Sequence, residues 1–155
     1  MAAAATLLFS SCLTLSGLKK PMVLVDAPNN TNVDFNGEDV IVEDVTAFRD
    51  EHTQGNTNHV TLYKYPGVKV KLKKASDFTF KSGNKQGTFS VKTHPAIGLL
   101  IVEGIFTAGI GTIIDLATGA FWVTNNRFID VDASLNHKTP RSNKDLKRYV
   151  RNSFN

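Results

Sequence analysis

The chain has 155 residues, a formal net charge of +4, 41% hydrophobic residues and 21% charged residues. This composition excludes a disordered chain, a collagen-like repeat and a polytopic membrane protein, and it fits one folded domain. A single cysteine excludes a disulfide framework and a cysteine-based zinc site.

Charge is distributed unevenly along the chain. Residues 26–51 are strongly acidic, whereas residues 64–92 and 138–151 are strongly basic. Acidic and basic strands that lie side by side would neutralise each other on one surface. Nucleic-acid binding instead needs the positive charge on one face, with aromatic or glycine-rich segments between the basic residues. We therefore expect no nucleic-acid partner, and a basic nucleic-acid-binding protein remains only as an alternative function.

The amino-terminal residues 1–11 form a short, uncharged apolar run that ends in small residues. Such a run is typical of a secretory signal and is too short to span a bilayer. Its end, Phe9-Ser10-Ser11-Cys12, resembles the lipobox of bacterial lipoproteins. The resemblance implies that Cys12 carries lipid, that residues 12–21 form a tether, and that the protein is an outer-membrane lipoprotein facing the periplasm. The alternative is a buried amphipathic segment with Cys12 as a small core residue.

Residues 22–94 are predicted to form a small antiparallel β-sandwich. Val68–Lys73 alternates apolar residues with lysines, which is typical of a strand with one buried face. Phe78–Phe80 and Phe89–Val91 flank a turn-forming segment and predict a hairpin. Asn36-Gly37 favours a type I′ turn. Further short strands are predicted at Met22–Asp26, Asn32–Asn36, Val40–Val42 and Val60–Tyr65.

The same region resembles PEGA-type domains in the spacing of its residues. The positions that match are Pro28, Val33, Phe35 and Asn36-Gly37. Further along, Tyr65-Pro66-Gly67-Val68 resembles the Thr-Pro sequence that leads into a later strand in that family. The resemblance covers about residues 23–92. It implies a small β-sandwich of surface and envelope proteins, with no catalytic residues to carry over.

Residues 95–122 are predicted to form an apolar, glycine-rich helix or helical hairpin. The segment is apolar except for Glu103 and Asp115, and its uncharged stretch is too short for a transmembrane helix. One helical face would carry a stripe of small residues: Gly104, Ala108 and Thr112. We interpret the segment as a cover on the open sheet face, with membrane contact or self-association as alternatives. Residues 111–120 also resemble an Asp-x-x-Thr-Gly-Ala segment of small bacterial lipoproteins.

The last part of the chain is predicted to contain a strand, a loop and a helix. Residues 123–135 would return to the sheet as a strand, because apolar and polar side chains alternate over Phe128–Leu135, with Asp130 and Asp132 on one exposed face. Residues 136–155 would form a loop and a basic amphipathic helix, and the helix would begin with a capping box at Ser142.

Motifs for a phosphate-binding loop, a serine nucleophile elbow or a zinc protease do not occur in the sequence. We therefore expect a protein that is not an enzyme, without catalytic residues, cofactors or metal ligands. The alternative is an envelope hydrolase that uses Asp130 and Asp132, or His52 and His59, which would lie in a polar loop. The predicted function is binding or scaffolding by a lipid-anchored cell-envelope protein. Its partners would be the membrane, through the lipid, and a protein or cell-wall component.

Overall fold

The computed structural model describes residues 19–54, 57–97 and 122–154. Within these ranges the chain is mainly β, with antiparallel sheets and two helices. The predicted signal segment, Cys12, most of the tether and most of the glycine-rich segment lie outside the described residues. The strands are β1 (Lys20–Val25), β2 (Asn32–Phe35), β3 (Glu38–Val40), β4 (Glu43–Gln54), β5 (Thr57–Val70), β6 (Asp77–Ser82), β7 (Lys85–Ser90), β8 (His94–Pro95), β9 (Trp122–Val123) and β10 (Phe128–Asp130). The helices are α1 (Val131–Leu135) and α2 (Asn143–Asn152).

The chain divides into two compact units. The larger unit comprises Pro21–Val70, Asp77–Val91 and Asn126–Asn155, and the smaller unit comprises Met1–Lys20, Lys71–Ser76 and Lys92–Asn125. In the part of the chain that the structure describes, no helix has both the length and the apolar character needed to cross a membrane.

The first sheet of the larger unit has the strand order β10-β1-β5-β4. β1 lies inside this sheet, and Met22, Val23, Leu24 and Val25 are all buried. Burial on both faces explains why β1 is a continuous apolar run rather than an alternating one. β1 pairs with β10 in parallel, with Val23 opposite Phe128. The prediction of a purely antiparallel arrangement is therefore wrong at this edge.

β4 and β5 form a long hairpin that sequence reasoning recognised only in part. The strands pair from Glu43 opposite Gly67 to Gln54 opposite Thr57, with a register shift at Ala47. β4 was not predicted because its many acidic residues are unfavourable for a strand, whereas pairing with β5 overrides this weak preference. The predicted strand at Val68–Lys73 ends at Val70 in the structure.

The second sheet has the order β3-β2-β6-β7 and confirms both predicted turns. Asn36 and Gly37 connect β2 to β3 with φ values of 51° and 86°, as a type I′ turn requires. β6 and β7 form the predicted hairpin, in which Ser82 pairs with Lys85 across a turn of two residues.

The predicted return strand stops early, which is a correction. Only Phe128–Asp130 is extended, and Val131–Leu135 is helical. The reason is local, because the carboxylate of Asp130 accepts a hydrogen bond from the backbone N–H of Ala133 at 3.2 Å and caps the helix. Gly87 allows α1 to lie directly on β7, since a Cβ at this position would overlap the backbone carbonyl oxygen of Ser134.

The carboxy-terminal helix α2 confirms the predicted basic amphipathic helix. The hydroxyl oxygen of Ser142 accepts a hydrogen bond from the backbone N–H of Asp145 at 3.2 Å, as expected of an N-cap. Leu146 and Val150 are the buried residues of α2. They belong to one core cluster with Val23, Val25, Val45, Ala47, Phe48 and Phe128.

The described part of the smaller unit contains the short strand pair β8–β9. Pro95 lies opposite Trp122, so the two ends of the glycine-rich segment are extended and adjacent. The prediction that residues 95–122 are helical throughout is therefore wrong at both ends. His94 precedes a proline, which disfavours helical backbone there. In the same unit the hydroxyl of Thr124 donates to the carbonyl oxygen of Lys92 at 2.9 Å.

Candidate functional site

A charged cluster lies at the carboxyl ends of β1 and β10. Asp26 follows β1 and Asp130 ends β10, and because these neighbouring strands are parallel, both carboxylates lie at the same edge of the sheet. Arg141 joins them: its Nε donates to Oδ2 of Asp130 at 2.7 Å, and its Nη2 donates to Oδ2 of Asp26 at 2.6 Å. The hydroxyl of Tyr149 donates to Oδ1 of Asp26 at 3.0 Å. We call these four residues the arginine clamp.

The electrostatics of the arginine clamp favour the charged forms of Asp130 and Arg141. Burial raises the pKa of Asp130, but hydrogen bonds from the Arg141 side chain and from the backbone N–H groups of Arg141 and Ala133 outweigh burial and hold this pKa below its ordinary value. The hydrogen bond to Asp130, followed by that to Asp26, raises the pKa of Arg141. The hydrogen bond to Asp26 and the negative charge of that carboxylate raise the pKa of Tyr149.

This arrangement stabilises the fold and does not prepare Asp130 for proton transfer. A general acid or base works best with a pKa near the operating pH, whereas the pKa of Asp130 is shifted away from it. Both oxygens of Asp130 also accept hydrogen bonds from Arg141, and one of them caps α1. The clamp therefore connects the loop before α2, α2 itself and the sheet.

Asp132 does not join Asp130, so the predicted carboxylate pair is not assembled. Asp132 lies in the first turn of α1, where Oδ1 accepts a hydrogen bond from Nδ2 of Asn136 at 2.6 Å and Oδ2 pairs with Nζ of Lys138 at 3.2 Å. The expectation of a shared, exposed strand face is wrong because Asp130 is buried and the strand ends there. Sequence reasoning missed Asp26 and Arg141 as partners, since 115 residues separate them.

His52 and His59 are brought together, but on strands rather than in a loop. They lie directly opposite each other in the β4–β5 register, and both are exposed. The polar segment around them is rich in turn-forming residues, which favours a loop, and only the pairing of β4 with β5 makes it extended. In the described ranges no group of three or more His, Cys, Asp or Glu side chains could hold a metal ion.

One face of β5 is buried at one end and exposed at the other. Alternation places Val60, Leu62, Val68 and Val70 on the same face. Val68 and Val70 are buried, whereas Val60 is 48% and Leu62 is 52% exposed. Lys64 and Pro66, which are both exposed, lie between Leu62 and Val68 on this face, so Val60 and Leu62 form a separate exposed apolar pair. We call Val60 and Leu62 the uncovered face.

Beside β3 lies a second exposed apolar region, with acidic residues around it. β3 is an edge strand of the second sheet, and Ile41 immediately after it is 86% exposed. Val40 and Ile41 line a groove together with Asp39. Among the described residues, Glu38 and Asp44 are exposed and form no ion pair, so their charges are available to a partner.

The expected proximity of acidic and basic regions is confirmed at two places. Nζ of Lys69 lies 3.2 Å from Oε1 of Glu43, and Nζ of Lys81 lies 3.2 Å from Oδ2 of Asp34. In these pairs lysines of the basic middle region neutralise acids of the first third. The lysine-rich strands are therefore partly engaged within the fold.

Comparisons of the chain with protein-family models, with curated proteins and with solved structures find no match. The predicted lipidation site, Cys12, lies outside the described residues. The function is therefore inferred from the chain's own residues: the lipobox-like sequence, the uncovered face, and the exposed apolar and acidic residues beside β3.

Proposed function

We propose that this protein is a lipid-anchored protein of the bacterial cell envelope that binds a protein partner through the β4–β5 hairpin and the β3 edge. The lipobox-like sequence Phe9-Ser10-Ser11-Cys12 supports the anchor. An acylated Cys12 would be followed by a short tether before β1, which begins at Lys20. Each buried methylene contributes about 0.8 kcal/mol, so two or more acyl chains hold a protein stably at a membrane. The expected location is the periplasmic face of the outer membrane.

The domain that the anchor carries is proposed to be a PEGA-like β-sandwich built from the two four-stranded sheets. The two sheets and the type I′ turn at Asn36-Gly37 support this proposal. The parallel pairing of β1 with β10 is a feature that the resemblance did not imply. In this proposal the sandwich acts as a rigid support for the hairpin.

The proposed binding role depends mainly on the exposure of the uncovered face. Val60 and Leu62 are about half exposed on the same face of β5 whose other end is buried core. Exposed apolar residues are common when they are scattered, whereas neighbouring ones that share a face are typical of interaction surfaces. Ile41 and Val42 add exposed apolar area at the end of β3.

The partner that fits this surface is a basic, apolar segment of a protein in extended conformation. Glu38 and Asp44 supply negative charge beside the apolar residues Ile41 and Val42, and complementary charge steers association and sets register. β3 is an edge strand, and an extended segment can add to such an edge through backbone hydrogen bonds. Alternating side chains of the added strand would then contact the apolar and acidic groups.

The binding role is tested with a synthetic ten-residue peptide of alternating leucine and lysine, added to the full chain and followed by NMR. We expect chemical-shift changes at β3, Ile41 and the uncovered face, and weaker binding in Leu62→Asp and Glu38→Lys. The matched control Ile97→Asp changes an apolar residue of the smaller unit that is 58% exposed, and it should bind like the unmodified chain. Equal binding of a leucine–glutamate peptide, or unchanged binding in Leu62→Asp, would contradict the role.

The anchor is tested separately by expressing the full sequence in a bacterial host and measuring its intact mass. We expect a membrane-bound product that begins at Cys12 and carries the mass of the attached acyl chains. Cys12→Ser should lose both the added mass and the membrane association. A product that retains residues 1–11 with an unmodified thiol would exclude the lipid anchor while leaving the peptide-binding result unaffected.

A further inference from the structure

We propose that His52 and His59 form a two-imidazole site for a divalent transition-metal ion of the Cu²⁺, Ni²⁺ and Zn²⁺ class. The site lies on the β4–β5 hairpin and goes beyond the proposed binding of a peptide. The main evidence for this site is the strand register, which places the two histidines directly opposite each other. Imidazole is a ligand that suits all three of these ions.

The register determines how close the two side chains are. Opposite residues of an antiparallel pair project from the same face, with Cβ atoms about 4.5–5.5 Å apart. A metal ion bonds to imidazole nitrogen at about 2.0–2.1 Å. Two side-by-side imidazoles can therefore reach one ion by side-chain rotation, without a change in the backbone of either strand.

Both imidazoles are available to an ion. His52 and His59 are exposed, and within the described ranges neither side chain takes part in a hydrogen bond or an ion pair. The neighbouring pair Thr53–Asn58 lies on the opposite face, where the hydroxyl of Thr53 donates to Oδ1 of Asn58 at 2.9 Å. That hydrogen bond ties the two strands together next to the histidines and so helps to maintain their register.

The acidic residue on the same face is already engaged. Asp50 lies two residues before His52, and its Oδ1 is 3.3 Å from Nη2 of Arg151. Arg151 also stacks over the ring of Phe48, with its Cζ 5.0 Å from the ring centroid. We therefore assign two protein ligands to the ion, and water completes its coordination. The expected order of affinity places Cu²⁺ above both Ni²⁺ and Zn²⁺.

The site is tested by calorimetric titration of the full chain with NiCl₂ and CuCl₂. We expect one equivalent of metal per chain. His52→Asn and His59→Asn should each weaken binding by at least about tenfold, because loss of one imidazole removes the benefit of two linked ligands. The double variant should bind only slightly more weakly than either single variant, without a second loss of comparable size. Both substitutions are at exposed positions, so the three variants are expected to fold.

His94→Asn and His137→Asn are the matched controls, since they change the other two histidines of the chain and leave the pair intact. Both should bind metal like the unmodified chain. Paramagnetic Cu²⁺ supplies a second measurement, in which NMR line broadening should centre on residues 51–53 and 58–60. Unchanged affinity in the double variant, or broadening centred elsewhere, would overturn the proposal.

Discussion

The two ends of the β4–β5 hairpin have the same strand pairing and opposite surroundings. At the base, Val45 and Phe48 are buried in the core cluster with residues of α2. Towards the tip, His52, His59 and Val60 are exposed. The backbone hydrogen bonds continue along both halves, so strand formation alone does not determine burial. On the face that carries Phe48 and Tyr63, α2 and the following residue Phe154 determine where the core ends.

The packing at the base explains this boundary. The ring of Phe48 stacks on that of Phe128, with centroids 5.7 Å apart. Phe154, just after α2, lies edge-on to Phe48 at 6.5 Å and packs on Tyr63 at 5.1 Å. Beyond Phe48 on the same face comes Asp50, which pairs with Arg151. The covered part of the hairpin therefore ends with the last residues of the carboxy-terminal segment.

The largest expected difference between base and tip is in stability. Phe48→Ala removes a buried ring and should lower the free energy of unfolding by about 3–5 kcal/mol, whereas Leu62→Ala on the uncovered face should change it by about 0.5 kcal/mol or less. Urea unfolding of the two variants measures both values. Similar losses in the two variants would mean that Leu62 is covered as well, and the proposed binding surface would be wrong.

The arginine clamp holds α2 over the base and gives the next largest effect. Arg141→Ala leaves Asp130, whose side chain is only 3% exposed, without its charged partner. We expect the free energy of unfolding, measured in urea, to fall by about 3 kcal/mol. This value is at the lower end of the range for leaving a buried charge unpaired, because Arg141 is itself partly exposed. The control Arg148→Ala removes an exposed arginine that lies 4.0 Å from Asp145 and should cost about 0.5 kcal/mol or less.

The same clamp predicts how stability depends on pH. The pKa of Asp130 is lower in the folded state than its ordinary value of about 3.9, so its contribution is present above that value and is lost as the pH falls through the folded pKa. Urea unfolding between about pH 2 and pH 7 should show this loss at the acidic end. In Arg141→Ala the loss of stability at acidic pH should become smaller, because the main hydrogen-bond donor to Asp130 is gone. An unchanged pH profile would contradict this role of Arg141.

The smallest expected effect concerns the start of α2. Ser142→Ala removes the N-cap hydrogen bond to Asp145 and should cost about 1 kcal/mol. Amide hydrogen exchange should become faster in the first turn of α2 before it does so in the hairpin base. Lys144→Ala, at an exposed position of the same turn, is the control and should leave both measurements unchanged.

The features that the sequence predicted correctly depend on neighbouring residues. The turn at Asn36-Gly37 follows from the positive φ that both positions adopt, and the start of α2 follows from a hydroxyl and a backbone N–H three residues apart. The β6–β7 hairpin is equally local, since its strands are joined by two residues. Short-range interactions of this kind do not require knowledge of the rest of the fold.

The features that the sequence did not predict depend on distant partners. β4 is extended because β5 pairs with it, although its acidic residues disfavour a strand. Asp130 ends β10 and begins α1, where an alternating pattern predicted one continuous strand. Its clamp also needs Asp26, which is far away in the chain. Pattern reasoning on single segments contains no information about such contacts.

The amino-acid sequence by itself determined the mainly β character, the turns, the capped basic helix and the lipobox-like residues before Cys12. Only the tertiary structure decided that Asp130 is a clamped structural residue, that His52 faces His59, and that Val68 and Val70 are covered whereas Val60 and Leu62 are exposed. The physical reason is that alternation specifies which side chains share a face, whereas burial and partnership depend on what packs against that face.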